Sequence, residues 1–455
     1  MDCYIVKIKR FILNNISLLP NFILLFLMRF NRNPNFVYGS KYRNYREILT
    51  KNDKDKVQEV DLLTNIVNRC RNEVPYYKNY EKFSTIEEFE DNIPFIDKDK
   101  VLADFNSFLN SSIDLKNYDR GTTGGTSGKP LRLVMPPDRY IVELATIHHL
   151  WSKVGYDFST RAVIRNAKLP ENKVYTVNPI TKEIIFDGFK LNDEYFEKIY
   201  RVLLKNKVEF IHCYPSVAYT FSKFLYKRCL DTSFLKAFLC SSENVIIYQK
   251  EFIESSLGIR LYSFYGHSEK LILAGNNIEN NNISENYKIE SRYGYFELID
   301  ENGKVIKEKG ILGEIVGTTY HNIGMPLIRY RTGDFASYIE YDQDKDIKII
   351  GPIKGRWLGE KIYNDDMSFI TPTALNLHSE LYEKIDGLQY RQTKPGFLEV
   401  LIIKGSTYDD KCESILMKHF KSAMKAGTTI EIIYVEELIK QKNGKFLLLL
   451  SSVKA

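Results

Sequence analysis

The stretch Arg120-Gly121-Thr122-Thr123-Gly124-Gly125-Thr126-Ser127-Gly128-Lys129-Pro130 is the most informative part of the chain. Its glycines allow a tight turn that brings backbone N–H groups close to an anion, while hydroxyl side chains add donors and Lys129 adds positive charge. It differs from a Walker loop, because Pro130 stands where that loop needs Ser or Thr to hold magnesium. The stretch predicts a phosphate-binding loop of another kind, and a flexible surface turn is the alternative.

The composition is that of an ordinary globular protein. The chain has 455 residues, more than a single core usually contains, and 44% of them are hydrophobic and 27% charged. The net charge of +6 is small against 64 basic and 58 acidic residues, and the basic residues are scattered, which argues against nucleic-acid binding. The six cysteines form no Cys-x-x-Cys pair. They indicate reduced thiols, so we expect a cytoplasmic protein. From the length we expect at least two domains.

Residues 1–32 form an apolar extension with a basic start. The apolar run 22–28 is too short to span a membrane, and Pro20 interrupts the apolar pattern before it. The pattern predicts two amphipathic helices. These helices either pack on their own domain or rest on the inner membrane surface as a peripheral contact.

Short apolar segments alternate with helical stretches after a mainly helical region at about 55–120. The predicted strands of the alternating part are 131–135, 162–164, 208–211, 237–240 and 260–263. This alternation indicates an α/β fold with mainly parallel, helix-covered sheets, which bind ligands at the carboxyl ends of their strands. After residue 290, the segments 295–299 and 313–316 predict a β-rich lobe.

A Gly-Pro and Gly-Arg cluster, Gly351-Pro352 and Gly355-Arg356, divides the chain. We expect residues 1–353 to form a large N-terminal domain and residues 354–455 to form a small, mobile α+β C-terminal domain. In the small domain the patterns predict strands near 398–403 and 429–434 and a helix near 409–424.

Five segments stand in the order typical of the adenylate-forming superfamily. They are the loop 121–130, Ser241-Ser242-Glu243-Asn244, Phe264-Tyr265-Gly266-His267-Ser268-Glu269, Tyr330-Arg331-Thr332-Gly333-Asp334, and Gly355-Arg356 with Gly444-Lys445. Over most of its length the sequence resembles this superfamily, which includes acyl-CoA ligases, luciferases and peptide-synthetase adenylation domains. Val74–Tyr77, Tyr214–Ser216 and Met325–Arg329 make it similar to the phenylacetate-CoA ligase branch, especially its CapK-type members of capsule biosynthesis.

The resemblance implies an enzyme that activates a carboxylate with ATP and Mg²⁺. The carboxylate attacks the α-phosphate of ATP, pyrophosphate leaves, and an acceptor thiol, amine or hydroxyl opens the acyl-adenylate. Such catalysis needs mainly positioning and charge neutralisation. The residues that the resemblance assigns to ATP or AMP binding are Thr122, Thr123, Gly124, Gly125, Thr126, Ser127, Gly128, Lys129, Ser242, Glu243, Tyr265, Gly266, His267, Ser268, Asp334 and Arg356.

Individual roles follow from the same resemblance. The loop from Thr122 to Lys129 would hold the β- and γ-phosphates, Tyr265 would stack on adenine, and Asp334 would accept both ribose hydroxyls. Arg356 would bind ribose or phosphate. Two residues would be catalytic: Glu269 would hold Mg²⁺, which prefers carboxylate oxygen, and Lys445 would reach the substrate carboxylate and the α-phosphate. Lys445 would then leave when the small domain rotates.

Each role has a structural alternative. Asp334 could cap a turn, Tyr265 could pack in the core, and Glu269 could be a first-turn acid of a helix. Arg356 could be a surface residue of the hinge, and Lys445 could belong to a solvated lysine cluster.

Three functions stay open at this stage. The first is an AMP-forming ligase of the CapK type in capsular or surface polysaccharide or related envelope metabolism. The second is an aryl- or acyl-CoA ligase that uses coenzyme A, or an adenylylating enzyme. The third is a non-catalytic nucleotide-binding scaffold, which the replacement of the usual acidic pair after the hinge by Trp357-Leu358-Gly359-Glu360 favours.

Overall fold

Thirteen strands of one mixed sheet dominate the described part of the molecule. The computed structural model describes residues 19–51, 59–123, 131–136, 139–165, 167–354, 361–370, 372–375, 384–405, 407–439 and 447–453. Its strands are β1 (Asp119–Thr122), β2 (Arg132–Met135), β3 (Arg161–Arg165), β4 (Tyr175–Asn178), β5 (Glu183–Asp187), β6 (Phe210–Cys213), β7 (Ala237–Ser241), β8 (Arg260–Gly266), β9 (Leu273–Glu279), β10 (Asn282–Ile289), β11 (Gly294–Ile299), β12 (Val305–Ile306), β13 (Leu312–Thr319), β14 (Tyr330–Asp342), β15 (Ile347–Ile350), β16 (Ile362–Tyr363), β17 (Phe369–Ile370), β18 (Ile385–Lys394), β19 (Phe397–Lys404), β20 (Thr429–Tyr434) and β21 (Leu449–Ser451).

The helices lie mostly between these strands. The α-helices are α1 (Asn21–Phe30), α2 (Pro34–Lys51), α3 (Glu59–Glu73), α4 (Ile86–Asn92), α5 (Lys98–Ala103), α6 (Arg139–Ser152), α7 (Asp193–Asn206), α8 (Pro215–Lys227), α9 (Ile247–Leu257) and α10 (Asp410–Ala423). Short 3-10 turns lie at Pro75–Tyr77, Phe105–Phe108, Leu115–Asn117 and Pro372–Leu375. A break at Gly39, whose φ is 81°, divides α2 into two helical pieces.

The parallel half of the sheet has the order β5-β3-β6-β7-β8. These strands are short apolar runs because both faces of the sheet are covered, and Ala237–Ser241 is buried at every position. Helices α7, α8 and α9 connect successive strands, and α7 begins where the Asn192 side chain accepts a hydrogen bond from Tyr195 N. The predicted parallel, helix-covered sheet is confirmed.

The antiparallel half extends the same sheet instead of forming a separate one. It runs from β9 through β10, β15, β14, β13 and β11 to β12. The long strand β14 pairs with β13 near its start, where Arg331 faces Val316, and with β15 near its end, where Tyr338 faces Ile350. This change of partner lets the sheet turn back on itself, so the predicted β-rich lobe is a continuation of the large sheet.

The glycine-rich stretch joins two strands of a hairpin. Strands β1 and β2 pair antiparallel with Thr122 opposite Arg132. Thr123 closes the pair, because its N–H donates to Leu131 O at 2.9 Å and its hydroxyl accepts from Leu131 N at 3.1 Å. Residues 124–130 lie outside the described residues. The sequence predicted β2 as a strand but not its partner β1.

A four-stranded sheet of order β20-β19-β18-β21 forms a second core in the last hundred residues, covered by α10. Asp409 caps α10, since its carboxylate accepts from Cys412 N at 3.0 Å. The predicted strands and helix of this region are confirmed. The boundary between residues 353 and 354 stays a prediction, because 355–360 lie outside the described residues.

Helix α1 has one buried and one exposed side. Leu24 and Met28 are buried, whereas Phe22, Phe26 and Phe30 are 72%, 57% and 70% exposed. Among the described residues, no helix combines the length and the apolarity that a membrane crossing requires. Residues 1–18 lie outside the described part, so the first predicted amphipathic helix is untested.

Candidate active site

Two predicted site residues meet where β8 ends and β14 begins. The hydroxyl of Tyr265 donates to Asp334 Oδ2 at 2.9 Å, and both side chains are half-buried. Along the sheet these strands are four positions apart, which corresponds to about 19 Å for a flat sheet. The contact therefore depends on the turning back of the sheet through β14.

His267 completes this contact and has a defined tautomer. Its Nε2 lies 2.5 Å from Tyr265 Oη. The phenol uses its one O–H to donate a hydrogen bond to Asp334, so in the contact with His267 the phenol oxygen is the acceptor. Burial, together with the charge of Lys270, lowers the pKa of His267 to about 3, so the ring is neutral and carries its proton on Nε2. The other nitrogen, Nδ1, is then a bare acceptor. It is buried and has no hydrogen-bond partner among the described residues.

Tyr265 stays protonated at neutral pH. Burial, with Asp334 and Glu269 nearby, raises the pKa of its phenol well above the usual value of about 10. Since the ionised form is suppressed, the hydroxyl remains a donor to Asp334. The site thus places two carboxylates and one neutral imidazole around a single tyrosine.

Neighbouring side chains order the irregular stretch of β14 between Arg331 and Phe335, where the register with β13 shifts. The hydroxyl of Thr332 accepts from Asp334 N at 3.1 Å and donates to Ile315 O at 2.7 Å. Glu314 accepts from Gly333 N at 3.0 Å and pairs with Arg331 at 2.5 Å. These groups order the backbone from which the Asp334 carboxylate reaches Tyr265.

Arg329 anchors the start of β14, a role that the sequence did not reveal. Its guanidinium forms two bonds with the Glu297 carboxylate, at 2.6 and 3.2 Å, and donates to Ile93 O at 2.6 Å. It also lies over the Phe95 ring, 4.0 Å from the centroid. Backbone bonds link Ile96 to both neighbours of Tyr330. The helical region before the sheet therefore fixes the position of the segment that ends at Asp334.

Glu269 lies in a turn between β8 and β9, so it is not a first-turn acid of a helix. It is half-buried and close enough to Tyr265 to raise that residue's pKa. In the part of the chain that the structure describes, no group of three or more His, Cys, Asp or Glu side chains could hold a metal ion. A single carboxylate suits Mg²⁺, which is usually bound by one or two carboxylates together with substrate phosphates.

A second polar cluster lies at the carboxyl ends of β3, β6 and β7. Arg165 Nη1 contacts His212 Nε2 at 2.6 Å, and Nη2 donates to Ser242 Oγ at 3.0 Å. Ser242 has a φ of 69°, which is uncommon for a residue other than glycine. Glu243 turns towards α8, where its carboxylate accepts from Ser216 N at 3.2 Å. Ser242 and Glu243 were predicted, whereas Arg165 was missed although it follows a predicted buried strand.

The remaining predicted residues are distributed as follows. Thr122 and Thr123 lie at the base of the β1–β2 hairpin, and Gly266 and Ser268 are exposed beside Tyr265. Gly124, Gly125, Thr126, Ser127, Gly128, Lys129, Arg356 and Lys445 lie outside the described residues. Their assigned roles stay predictions.

Comparisons with known proteins show the fold. No family model matches the chain. No curated protein matches it either. Among solved structures, 2-hydroxyisobutyryl-CoA ligase in complex with 2-HIB-AMP and CoA in the thioesterification state is similar with a TM-score of 0.55 and 13% identity, over 87% of this chain and 89% of that chain. The same ligase in the postadenylation state gives a TM-score of 0.51 and 13% identity, over 87% and 89% of the two chains.

The chain has the fold of this CoA ligase. The predicted α/β architecture is therefore confirmed, and the resemblance to adenylate-forming ligases is confirmed at the level of the fold. The narrower resemblance to the phenylacetate-CoA ligase branch and its CapK-type members stays a prediction.

Proposed function

We propose that the protein is an ATP-dependent, AMP-forming ligase that activates a carboxylate as its acyl-adenylate. The hydrogen bond between Tyr265 and Asp334 is the main support, because it joins two of the five motif segments at one edge of the sheet. The shared fold gives further support, since the similar ligase was solved with an acyl-adenylate.

The nucleotide fits the polar groups of this edge. Asp334 offers carboxylate oxygens to the ribose hydroxyls, and Tyr265, held by Asp334 and His267, offers its ring to adenine. The bare Nδ1 of His267 is a buried acceptor for a donor group of the ligand. Strands β1 and β2 pair on either side of the sequence segment 124–129, whose N–H groups would hold phosphate oxygens.

The reaction requires the substrate carboxylate to attack the α-phosphorus of ATP while the bond to the pyrophosphate oxygen breaks. Glu269 would hold Mg²⁺, which supplies positive charge to the phosphates when it is bound. The side chains of Lys445 and Arg356 would approach the α-phosphate and the ribose, roles that rest on the sequence motifs. The protein's own task is to align the two reactants.

Coenzyme A is the favoured acceptor for the second step, because the similar ligase was solved with CoA. An amine or hydroxyl acceptor, and direct adenylyl transfer, are the alternatives. The motifs Val74–Tyr77, Tyr214–Ser216 and Met325–Arg329 support a CapK-type role in capsular polysaccharide or related envelope metabolism. AMP release that depends on coenzyme A would identify the thiol as the acceptor.

Pyrophosphate exchange tests the first step directly. We expect at least one acid from a panel of hydroxy, amino, uronic and aromatic acids to support exchange between labelled pyrophosphate and ATP. Asp334→Asn should lower exchange by roughly 100-fold, because two charge-assisted hydrogen bonds to ribose are weakened. Asp342→Asn, on the same strand but paired with Lys345 at the surface, is the matched control and should exchange normally.

The variants and a binding measurement separate this function from its rivals. Lys445→Ala should lose exchange and keep its unfolding temperature, because the role assigned to Lys445 is in the reaction and not in the packing of the fold. ATP binding without exchange for any acid would refute the ligase and indicate a nucleotide-binding scaffold. Exchange that survives Lys445→Ala would refute the lysine assignment alone.

Helix α1 supports a peripheral membrane contact. Phe22, Phe26 and Phe30 recur every four residues, so they form one exposed apolar stripe, with Arg29 in the last turn. We expect deletion of residues 1–32 to abolish sedimentation with vesicles that contain anionic phospholipid. Equal sedimentation of both forms would show that the helix does not bind membranes.

A further inference from the structure

Arg165 lies where open α/β sheets bind their ligands. It is the last residue of β3, and the neighbouring strand β6 ends at Cys213. From β3 the chain proceeds to β5 on one side of the sheet, whereas from β6 it proceeds to β7 on the other side. The strand order therefore reverses between β3 and β6, and the crevice outside such a reversal is the preferred ligand site.

The guanidinium of Arg165 is held in one orientation by three neighbours. His212 Nε2 lies 2.6 Å from Nη1, Ser242 Oγ lies 3.0 Å from Nη2, and the Tyr214 ring centroid lies 4.8 Å from the Cζ atom. Burial and the nearby charge of Arg165 lower the pKa of His212 well below 6.5, so this imidazole is neutral and accepts the bond. Ser242 is exposed and Arg165 is half-buried, so a ligand can reach the guanidinium.

Arg161 and Arg329 each have a carboxylate partner and Arg165 does not. Arg161, at the opposite end of the same strand, pairs with Glu183 at 2.5 Å, and Arg329 pairs with Glu297 at 2.6 Å. Among the described residues, no carboxylate oxygen lies within 4.0 Å of the Arg165 guanidinium. A half-buried guanidinium that is held in one orientation by three neutral contacts keeps its charge available, which indicates an anionic ligand.

The position of Arg165 assigns it to the acid substrate instead of the ATP phosphates. Strands β3 and β8 are three positions apart, which places Arg165 about 14 Å along the sheet from the strand of Tyr265. The hairpin strand β2 contributes Leu133 and Met135 to the core that also contacts Tyr265, whereas the β3 residues Ala162 and Ile164 belong to a different core. A nucleotide with its phosphates near the hairpin would keep those phosphates away from Arg165, and adenine carries no charge, so the anion that Arg165 binds belongs to the acid substrate.

We propose that Arg165, with its guanidinium stacked on Tyr214 and oriented by Ser242, binds a second acidic group of the substrate, at the end remote from the carboxylate that is activated. This assignment rests on the proposed ligase function and names its substrate class, an acid with a further carboxylate or phosphate group. The planar guanidinium offers a fork of N–H donors to such a group, and the Tyr214 ring supports it from below.

Matched acids test the assignment. Glutarate and pentanoate both have five carbons, and the terminal carbon is a carboxylate in glutarate and a methyl group in pentanoate; 4-phosphonobutanoate replaces that terminal carboxylate by a phosphonate. We expect pyrophosphate exchange with glutarate or 4-phosphonobutanoate to exceed exchange with pentanoate at least 10-fold in kcat/KM. The more active of the two identifies the acidic group. Arg165→Gln should reduce this preference about 10- to 100-fold, and Arg165→Lys should restore part of it.

Arg228→Gln is the control, because Arg228 is an exposed arginine that also lies over an aromatic ring, Phe224 at 6.0 Å. It should leave the preference unchanged. A second readout uses binding alone: glutarate, but not pentanoate at equal ionic strength, should raise the unfolding temperature of the wild type and not that of Arg165→Gln. If Arg165→Gln does not fold, the ratio of exchange with glutarate to exchange with pentanoate is measured in Ser242→Ala and Arg165→Lys instead. We expect both variants to show a smaller ratio than the wild type.

The outcomes separate this assignment from the proposed function. Exchange with pentanoate that equals or exceeds exchange with both diacids, or a preference that Arg165→Gln and Arg165→Lys leave intact, would overturn the assignment and keep the ligase. Absence of exchange with every acid would overturn the ligase and the assignment together. A preference lost in Arg165→Gln and kept in Arg228→Gln supports both.

Discussion

The ion pair between Arg329 and Glu297 is the sharpest structural test of how the candidate site is positioned. Their side chains are 2% and 1% exposed, and the guanidinium also donates to two carbonyl groups, those of Glu90 and Ile93. Replacing Arg329 by methionine keeps most of the volume and removes every one of these donors. Glu297 is then left as an unpaired carboxylate inside the core.

The expected loss of stability is large. Breaking one partner of a buried ion pair costs about 3–5 kcal/mol, because the remaining charge stays desolvated. At about 2 °C per kcal/mol for a large domain, the unfolding temperature of Arg329→Met should fall by roughly 6–10 °C. The double variant Arg329→Met with Glu297→Leu removes the stranded charge as well, so it should recover most of that loss.

The pH dependence identifies the cause. Burial raises the pKa of the Glu297 carboxyl, and Arg329 opposes that rise. Without Arg329 the folded-state pKa rises further above the unfolded value of about 4.3. Below about pH 4.3 the carboxyl is protonated in both the folded and the unfolded protein, and the neutral group is tolerated in the core. As the pH rises through the folded-state pKa, the buried group ionises and the folded protein loses that stability. The deficit of Arg329→Met should therefore be small near pH 4.5 and large at pH 7.5.

Thermal unfolding followed by tyrosine and tryptophan fluorescence at both pH values measures these differences. Relative to the double variant, which lacks the carboxyl, the wild type should lose less stability between pH 4.5 and pH 7.5 than Arg329→Met loses, because Arg329 opposes the rise of the Glu297 pKa. Equal deficits of Arg329→Met at the two pH values, or a double variant no more stable than the single one, would refute the reasoning.

Two further predictions concern the site itself. The folded-state pKa of His267, about 3, lies below the ordinary 6.5, so the neutral ring contributes stability above pH 6.5 that is lost as the pH falls towards 3. Between pH 7 and pH 4 the unfolding temperature of His267→Gln should therefore fall less steeply than that of the wild type. Parallel curves for the two proteins would contradict this. A Cβ atom at Gly188 would lie 1.6 Å from Arg165 O, whereas one at Gly351 would have its nearest neighbour at 3.5 Å. Gly188→Ala should therefore lower the unfolding temperature by several degrees and weaken the preference for diacids, while Gly351→Ala should change neither.

Local sequence patterns predicted most of the elements and the edge at which the site lies. Strands β3, β6, β7 and β8 are apolar runs because both faces of a parallel sheet are buried, and their carboxyl ends mark the ligand edge. Helix α10 was equally readable, since its cap and apolar spacing are local features. These properties depend on residues close together in the chain.

The contacts that build the site depend on residues far apart in the chain. Arg329 and Ile93 are separated by 236 positions, and Tyr265 and Asp334 by 69. No local pattern states that β14 changes partner from β13 to β15, although this change brings Asp334 to Tyr265. The tautomer of His267 is likewise set by the second bond of a tyrosine hydroxyl. Sequence reasoning could name Tyr265 and Asp334 through a family resemblance, but not the bond between them.

Strand β8 is the junction between the two halves of the sheet, and this gives the site two separable ends. On one side the antiparallel half presents Asp334, and on the other the parallel half presents Arg165. If one extended complex of ATP and acid lies along this edge, its two reactants are recognised by different parts of the fold. Changes at Asp334 should then raise the KM for ATP with little effect on the choice of acid, while changes at Arg165 should do the reverse. A variant at either position that changed the KM for ATP and the choice of acid to the same extent would show that the two ends share one pocket.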